Sequence, residues 1–125
     1  MQYTIKNPVL AEVLGLLSKR LDIRITFFDV EGCETADQLS RPRSGFCAEH
    51  RNRDPEFDRC CVVCDRDHLN QARLTRRTVI YRCHAGLLEG VVPLYNRRGL
   101  YLGSLVFGQV APPELKRRSA GVRRG

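Results

Sequence analysis

Three strand-forming runs in the second half of the chain constrain its fold more than any other feature. They cover residues 78–83, 90–95 and 101–110, and each is rich in β-branched, aromatic or aliphatic side chains. Residues 96–99 read Asn-Arg-Arg-Gly, which is typical of a tight turn between antiparallel strands. We therefore expect these runs to form one antiparallel sheet.

Helical segments precede these strands, and two of them begin at a proline. Asn7 and Pro8 favour a helix start, because the asparagine side chain accepts from free N–H groups and the proline loses no hydrogen bond there. The apolar residues that follow recur three and four positions apart and form one stripe: Leu10, Val13, Leu14, Leu17 and Leu21. Asp54 and Pro55 mark a second start, which divides residues 46–76 into a short helix and a long one.

A weaker pair of strands lies between the first helix and the second. Residues 23–30 form a β-rich run, Glu31 and Gly32 are typical of a turn, and a second strand is expected near residues 34–39. The order is then helix, two strands, helices and three strands, which predicts an α+β domain. We expect a five-stranded, mostly antiparallel sheet with its helices on one face.

The positive charge of the chain is concentrated in its last residues. The formal net charge is +7, and residues 114–125 contribute +4 of it, from five basic side chains and Glu114. Such a segment attracts nucleic acid by releasing counterions, although it is more typical of a solvated end. We therefore expect a domain over residues 1–112 and a disordered basic tail over residues 113–125, where any weak nucleic-acid binding would reside.

The apolar residues are spread along the chain rather than gathered in one run. No segment approaches the roughly 20 apolar residues that a membrane span requires, and residues 1–10 lack the pattern of a secretory signal. We therefore expect a cytoplasmic protein that does not contact a membrane. Its six cysteines are expected to be reduced, because disulfides are rare in that compartment.

Four of the six cysteines are candidates for one shared site. Side chains four apart lie on one face of a helix, so Cys60 and Cys64 are expected to point the same way, with His68 one turn further. If the chain binds a metal, the expected ligands are Cys47, Cys60, Cys64 and Cys83. The spacing leaves open a zinc ion or an iron–sulfur cluster, buried thiols that are structural or line a ligand pocket, and thiols that sense redox state.

Cys83 and His84 stand together where a strand gives way to a glycine-containing bend. Successive side chains of a strand point to opposite faces, so both can meet one cavity only where the strand ends or bulges, and Gly86 permits that. Adjacent cysteine and histidine residues seldom reach the geometry of a catalytic dyad, and we expect a binding module rather than an enzyme. The side chains expected to contact a small ligand are Tyr81, Cys83, His84, Glu89 and Gln109.

Four stretches of the chain resemble the PocR sensory domain family. They are FCAEHR at residues 46–51, DRCCVVCDRDH at 58–68, YRCHAGLLEGVVPL at 81–94 and YLGSLVFGQV at 101–110. The resemblance extends over residues 7–109 and implies a PAS-like domain of prokaryotic signalling proteins that senses a small hydrocarbon derivative such as a diol or an alcohol. It also implies that the cysteines gather beside the ligand pocket at one end of the sheet.

The resemblance bears on partners as well. Members of the family are usually joined to a helix-turn-helix regulator or to a histidine kinase, and neither motif is present in this sequence. We therefore expect either an output protein that acts in trans, a sensor that acts alone, or a fragment of a longer regulator. The apolar stripe of the first helix also suits a homodimer, in which that helix pairs with its copy.

Overall fold

The computed structural model describes residues 8–34 and 45–113, and these residues form three helices and four strands. In chain order they are α1 (Pro8–Leu21), β1 (Arg24–Phe28), α2 (Gly45–Arg53), α3 (Pro55–Thr75), β2 (Val79–Arg82), β3 (Leu88–Tyr95) and β4 (Tyr101–Val110). The α+β class is thereby confirmed. None of these helices is long and apolar enough to cross a membrane. The basic tail expected over residues 113–125 lies outside the described residues from residue 114 onward.

The four strands form one antiparallel sheet in the order β1-β4-β3-β2. The expectation of five strands is therefore wrong for the described part of the chain, whereas a PAS-like fold stays a prediction. Asp29 closes the turn that the sequence predicts after β1, because its carboxylate accepts hydrogen bonds from the N–H groups of Glu31 and Cys33. After this turn Glu34 makes one isolated bridge to Phe28, and residues 35–39 of the expected strand lie outside the described residues.

Helices cover both faces of the sheet, which corrects the expectation that they lie on one. Ala72 of α3 belongs to the same buried cluster as Phe28. Leu14 of α1 belongs to a second cluster with Phe27, the neighbouring residue of β1. Because neighbouring side chains of a strand point to opposite faces, the two clusters lie on opposite sides of the sheet.

The junction of α2 and α3 follows the sequence prediction closely. The Asp54 carboxylate accepts a hydrogen bond of 3.0 Å from the N–H of Glu56, and Pro55 occupies the first turn of α3. Arg51 of α2 and Asp58 of α3 form an ion pair across the junction. The cap and the ion pair together hold α2 against the first half of α3, where the candidate site is built.

Gly103 allows β4 to pass close to β1. Its φ angle is +131°, and a Cβ atom added there would lie 2.5 Å from the carbonyl oxygen of Phe28 and would overlap the ring of Phe27. A side chain at this position would therefore push the two strands apart.

Candidate ligand-binding site

A cavity of about 40 Å³ lies between α2, α3 and the sheet. A cavity of this volume has space for about three water molecules, and so for an organic molecule of about four to six non-hydrogen atoms. Phe28 of β1 and Phe57 of α3 contribute aromatic walls, and Val106 of β4 contributes an aliphatic one. A mostly apolar wall with a few polar groups is typical of small-molecule sites.

Four thiols line this cavity, and they come from three different parts of the fold. Cys47 is a buried residue of α2, Cys61 and Cys64 belong to α3, and Cys83 follows the end of β2. The gathering of cysteines beside one cavity agrees with the sequence interpretation, with one exchange. Cys61 lines the cavity in place of Cys60, whose thiol points to the Glu56 carboxylate on the exposed side of α3.

The helix geometry explains the exchange of Cys60 for Cys61. Leu69 and Ala72 mark the buried face of α3. At about 100° per residue, Cys61 lies within about 20° of Ala72, whereas Cys60 is turned about 120° away from it. The spacing of Cys61 to Leu69 and Ala72 becomes informative only once these two residues are known to be buried, since Leu74, another apolar residue of the same helix, is exposed. Asp65, which also lines the cavity, follows Cys61 by four residues and was missed for the same reason.

The expected metal ligands do not assemble into a coordination site. Within residues 8–34 and 45–113, no three cysteine, histidine, aspartate or glutamate side chains are placed so that they could hold one metal ion. Cys47, Cys64 and Cys83 nevertheless share the cavity, so metal binding at these thiols stays a prediction.

Glu89 is held in the cavity by Tyr81. The two residues are cross-strand partners on β3 and β2, and the Tyr81 hydroxyl donates a hydrogen bond of 2.7 Å to Oε2 of Glu89. The Tyr81 ring is itself fixed, because it stacks on the ring of His68 with 3.5 Å between centroids and 3° between planes. Burial raises the pKa of Tyr81 above its usual value, with the Glu89 charge adding to the effect, so the hydroxyl stays a donor. Tyr81 therefore reaches the cavity through Glu89.

A β-bulge beside Glu89 forms the adjacent part of the cavity wall. Leu88 pairs with Val110 whereas Glu89 pairs with Gly108, so Gln109 is the extra residue of β4. Both Gly108 and Gln109 line the cavity. A Cβ atom at Gly108 would lie 2.8 Å from Cγ of Glu89, so glycine is needed there for the glutamate side chain to occupy its place. Bulges of this kind re-aim side chains, and they are common beside binding sites.

Cys83 and His84 lie where β2 has ended, as the glycine-containing bend predicted. The N–H of Gly86 donates to the carbonyl of Cys83, which closes a tight turn. Cys83 lines the cavity, whereas His84 is exposed and lies outside the lining. Nε2 of His84 is 3.0 Å from Sγ of Cys61, and its ring is edge-on to the ring of Phe57. Of the five expected ligand contacts, Cys83, Glu89 and Gln109 line the cavity directly.

Burial raises the pKa of three thiols of the cavity. The pKa of Cys61 and of Cys64 is raised to about 11, and that of Cys83 is also raised. A thiol with a pKa of about 11 is ionised to only about one part in ten thousand at pH 7. Because the thiolate is the reactive form, these groups serve as weakly polar walls rather than as nucleophiles.

The charged groups at the cavity are largely paired. Arg24 forms an ion pair with Glu34, and Arg51 with Asp58. Asp65 and Glu89 add two further carboxylates to the lining. Two arginines and three carboxylates thus stand among the aromatic and thiol walls of the cavity.

Comparison with known protein families gives a match over nearly the whole chain. The family model described as "Sensory domain found in PocR" matches residues 4–122, which is nearly the whole chain and includes most of the segment expected to be a tail. No curated protein matches the chain.

Proposed function

The chain belongs to the PocR sensory domain family and is therefore a sensory domain, and on this premise we propose that it senses a small hydrocarbon derivative such as an alcohol or a diol. The ligand binds in the cavity between α2, α3 and the sheet. Cys83, Glu89 and Gln109 contact it directly, whereas Tyr81 and His84 act through Glu89 and Cys61.

The size and lining of the cavity carry this proposal. About 40 Å³ suits a molecule of two to four carbon atoms with one or two hydroxyl groups and is too small for an aromatic metabolite or a nucleotide. The aromatic and thiol walls suit the carbon chain, and the Glu89 carboxylate and the Gln109 amide suit a hydroxyl group.

We infer that the ligand is bound and released unchanged. The nearest approach to catalytic geometry is the contact of Cys61 with His84, and it favours a thiol that stays protonated, because burial raises the pKa of Cys61 to about 11. Incubation of a bound alcohol with the protein, followed by NMR of the small molecule, tests this inference. Conversion of the alcohol that depends on Cys61 would contradict it.

Thermal unfolding with a series of alcohols and diols tests the binding proposal. A ligand that binds only the folded protein raises the melting temperature, and the rise grows with ligand concentration. We expect such a rise for members with two to four carbon atoms and none for cyclohexanol. A chain that unfolds at the same temperature with every member of the series would contradict the proposal.

Two neighbouring cysteines provide a matched pair of variants for this test. Cys61→Leu fills the cavity and is expected to abolish the rise in melting temperature, whereas Cys60→Leu changes a side chain outside the cavity lining and is expected to preserve it. Equal loss of the rise in both variants would place the ligand elsewhere.

The alternative is a cysteine-dependent metal or redox sensor on the same fold. Metal analysis of the purified protein, with and without Cys64→Ser, distinguishes it from the proposal above. One zinc or one iron–sulfur cluster per chain, lost in the variant, would favour the alternative.

We also propose that an output protein acts in trans, since a sensory domain acts by passing its state to a partner. The cytoplasmic location expected from the sequence is part of the same proposal.

A further inference from the structure

Exposed arginines gather at the end of the domain that lies opposite the cavity. The turn between β3 and β4 carries two of them, and the C-terminal end of α3 carries the others. We call this group the basic patch, and its members are Arg73, Arg76, Arg77, Arg97 and Arg98. The cavity is lined by the first half of α3 and by Glu89 near the start of β3, whereas the patch lies at the other end of both elements. The patch is therefore a separate surface.

Three contacts hold the end of α3 against the turn between β3 and β4. Nη2 of Arg76 donates a hydrogen bond of 3.3 Å to the carbonyl of Gly99, and the Tyr95 hydroxyl donates one of 2.9 Å to the carbonyl of Arg73. The Arg76 guanidinium also lies over the Tyr95 ring, 4.6 Å from its centroid. The arginines of the helix and those of the turn therefore belong to one surface.

Two half-buried tyrosine rings support the arginines of the helix. Tyr95 and Tyr101 contact each other with 5.6 Å between centroids, and the Arg73 guanidinium lies 5.3 Å from the centroid of Tyr101. A planar guanidinium that already rests on a ring loses less conformational freedom when it binds an anion. The rings thus prepare the patch for an anionic partner.

The patch has little negative charge around it. Among the described residues, none of its five arginines forms an ion pair. Residues 68–113 contain six arginines and one acidic residue, Glu89, which lines the cavity. Asp29 and Glu31 line a groove beside Arg73, whereas the other four arginines of the patch lie outside that groove. Most of the positive charge of the patch is therefore left for a partner outside the described residues.

The helix dipole explains only part of this arrangement. Cations are stabilised near the C-terminal end of a helix, which applies to Arg73 and Arg76 of α3. No such effect applies to Arg97 and Arg98 in the turn, and positive charges gathered on one surface repel one another. An anionic partner would remove that repulsion.

We propose that the basic patch binds the phosphate backbone of double-stranded nucleic acid without reading its sequence. A guanidinium group binds two oxygens of one phosphate at once, and a duplex presents its phosphates in evenly spaced rows. Contacts to phosphates carry no sequence information, so the affinity follows charge. The inference goes beyond the proposed function and does not depend on the ligand of the cavity. It moves nucleic-acid binding from the tail at residues 113–125 to the folded domain.

An acidic protein segment is the competing partner, because carboxylates accept the same pairs of hydrogen bonds. The duplex is favoured because its charges are ordered before it binds, as are the arginines that rest on the tyrosine rings. A flexible acidic segment would lose conformational entropy on the same surface.

Fluorescence anisotropy with a labelled DNA duplex of about 20 base pairs tests the inference on the full chain. The affinity is measured from about 25 to about 200 mM sodium chloride, because each neutralised phosphate contributes about −0.9 to the slope of log K against log salt concentration. Five arginines in contact with phosphates predict a slope of at least about −4. We expect equal affinities for duplexes of unrelated sequence.

Three variants with the same change in charge assign the binding to the patch. Arg97→Gln together with Arg98→Gln is expected to weaken binding at least about tenfold at low salt and to reduce the slope by about two. The corresponding pairs in the tail, at Arg117 and Arg118, and in α2 and α3, at Arg53 and Arg59, are the controls. Both control pairs are expected to change the affinity less than about twofold. Thermal unfolding verifies that each variant is folded.

Four results would overturn the inference, and none of them bears on alcohol binding in the cavity. The first is a duplex that does not bind at low salt, and the second is a patch variant that binds as tightly as the unaltered chain. The third is a loss confined to the tail variant, which would place the binding in the tail. The fourth is displacement of the duplex by polyglutamate at an equal concentration of charges, which would favour an acidic protein as the partner.

Discussion

At the scale of single residues, the thiols of the cavity are expected to differ in reactivity from the exposed Cys33. Cys61 and Cys64 react slowly with iodoacetamide at pH 7, because burial raises the pKa of each to about 11 and the thiolate is the reacting form. Their rates should increase as the pH rises towards 11. Mass spectrometry of the labelled peptides gives the rate at each position.

The unfolded chain provides the control for this labelling. In urea all six cysteines are expected to react at similar rates, because burial no longer opposes the thiolate. If Cys61 in the folded protein were labelled as fast as Cys33 at pH 7, the conclusion that its thiol is protonated would be contradicted. The redox alternative would then be strengthened.

The sequence indicated the chemistry of the site more accurately than the set of residues that forms it. Cys83, Glu89 and Gln109 line the cavity as expected, because each lies at a strand end or a glycine-containing bend. Cys61 was missed because adjacent cysteines cannot be ranked until the buried face of the helix is known. The Tyr81 contact with Glu89 depends on strand register, which the pairing of β2 with β3 fixes and the local sequence does not.

At the scale of secondary structure, the close approach of β1 and β4 makes a prediction about two glycines. Gly103→Ala is expected to lower the free energy of unfolding by about 2 kcal/mol, because the new Cβ atom would collide with the Phe28 carbonyl in a conformation that alanine rarely adopts. Gly90→Ala, where the nearest atom is the Val79 carbonyl oxygen at 3.8 Å, is the matched control. Urea unfolding measures both variants.

The reverse order of stabilities would contradict this account of the strand contact. A Gly103→Ala protein as stable as the Gly90→Ala protein would mean that Gly103 lies further from the Phe28 carbonyl than the structure shows.

The helices and strands themselves were largely predictable, whereas their arrangement was less so. α3 begins at the predicted proline and β4 has the predicted bounds, because caps and turns are local signals. The second helix-bearing face was missed, although residues 25–28 form a nearly continuous apolar run, which is typical of a strand buried on both sides. Within the part of the chain that the structure describes, the expected fifth strand is represented by a single bridge of Glu34 to Phe28, after the turn that the Asp29 carboxylate closes.

At the scale of the whole molecule, the outer surface of α1 carries the prediction of a homodimer. Five apolar side chains of this helix are between 40% and 63% exposed: Val9, Val13, Leu16, Leu17 and Leu21. Such a contiguous apolar surface is unusual on a monomer. We expect light scattering behind size-exclusion chromatography to give the mass of a dimer.

A charge on this surface should separate the subunits. Leu16→Glu is expected to give a monomer, whereas Leu74→Glu, at an apolar position of α3 that is 82% exposed, is expected to leave the dimer intact. A wild-type chain that stays monomeric at high concentration would contradict the dimer.

The central position of β4 has a consequence for how the effect of ligand binding would be transmitted through the domain. Val106 and Gly108 face the ligand cavity, whereas Leu105 and Phe107, between and beside them, belong to the side of the sheet covered by α1. The path from the ligand cavity to the dimer surface expected on α1 therefore crosses only β4 and α1 itself. A small displacement of β4 would change the cavity wall and the packing of α1 in one movement.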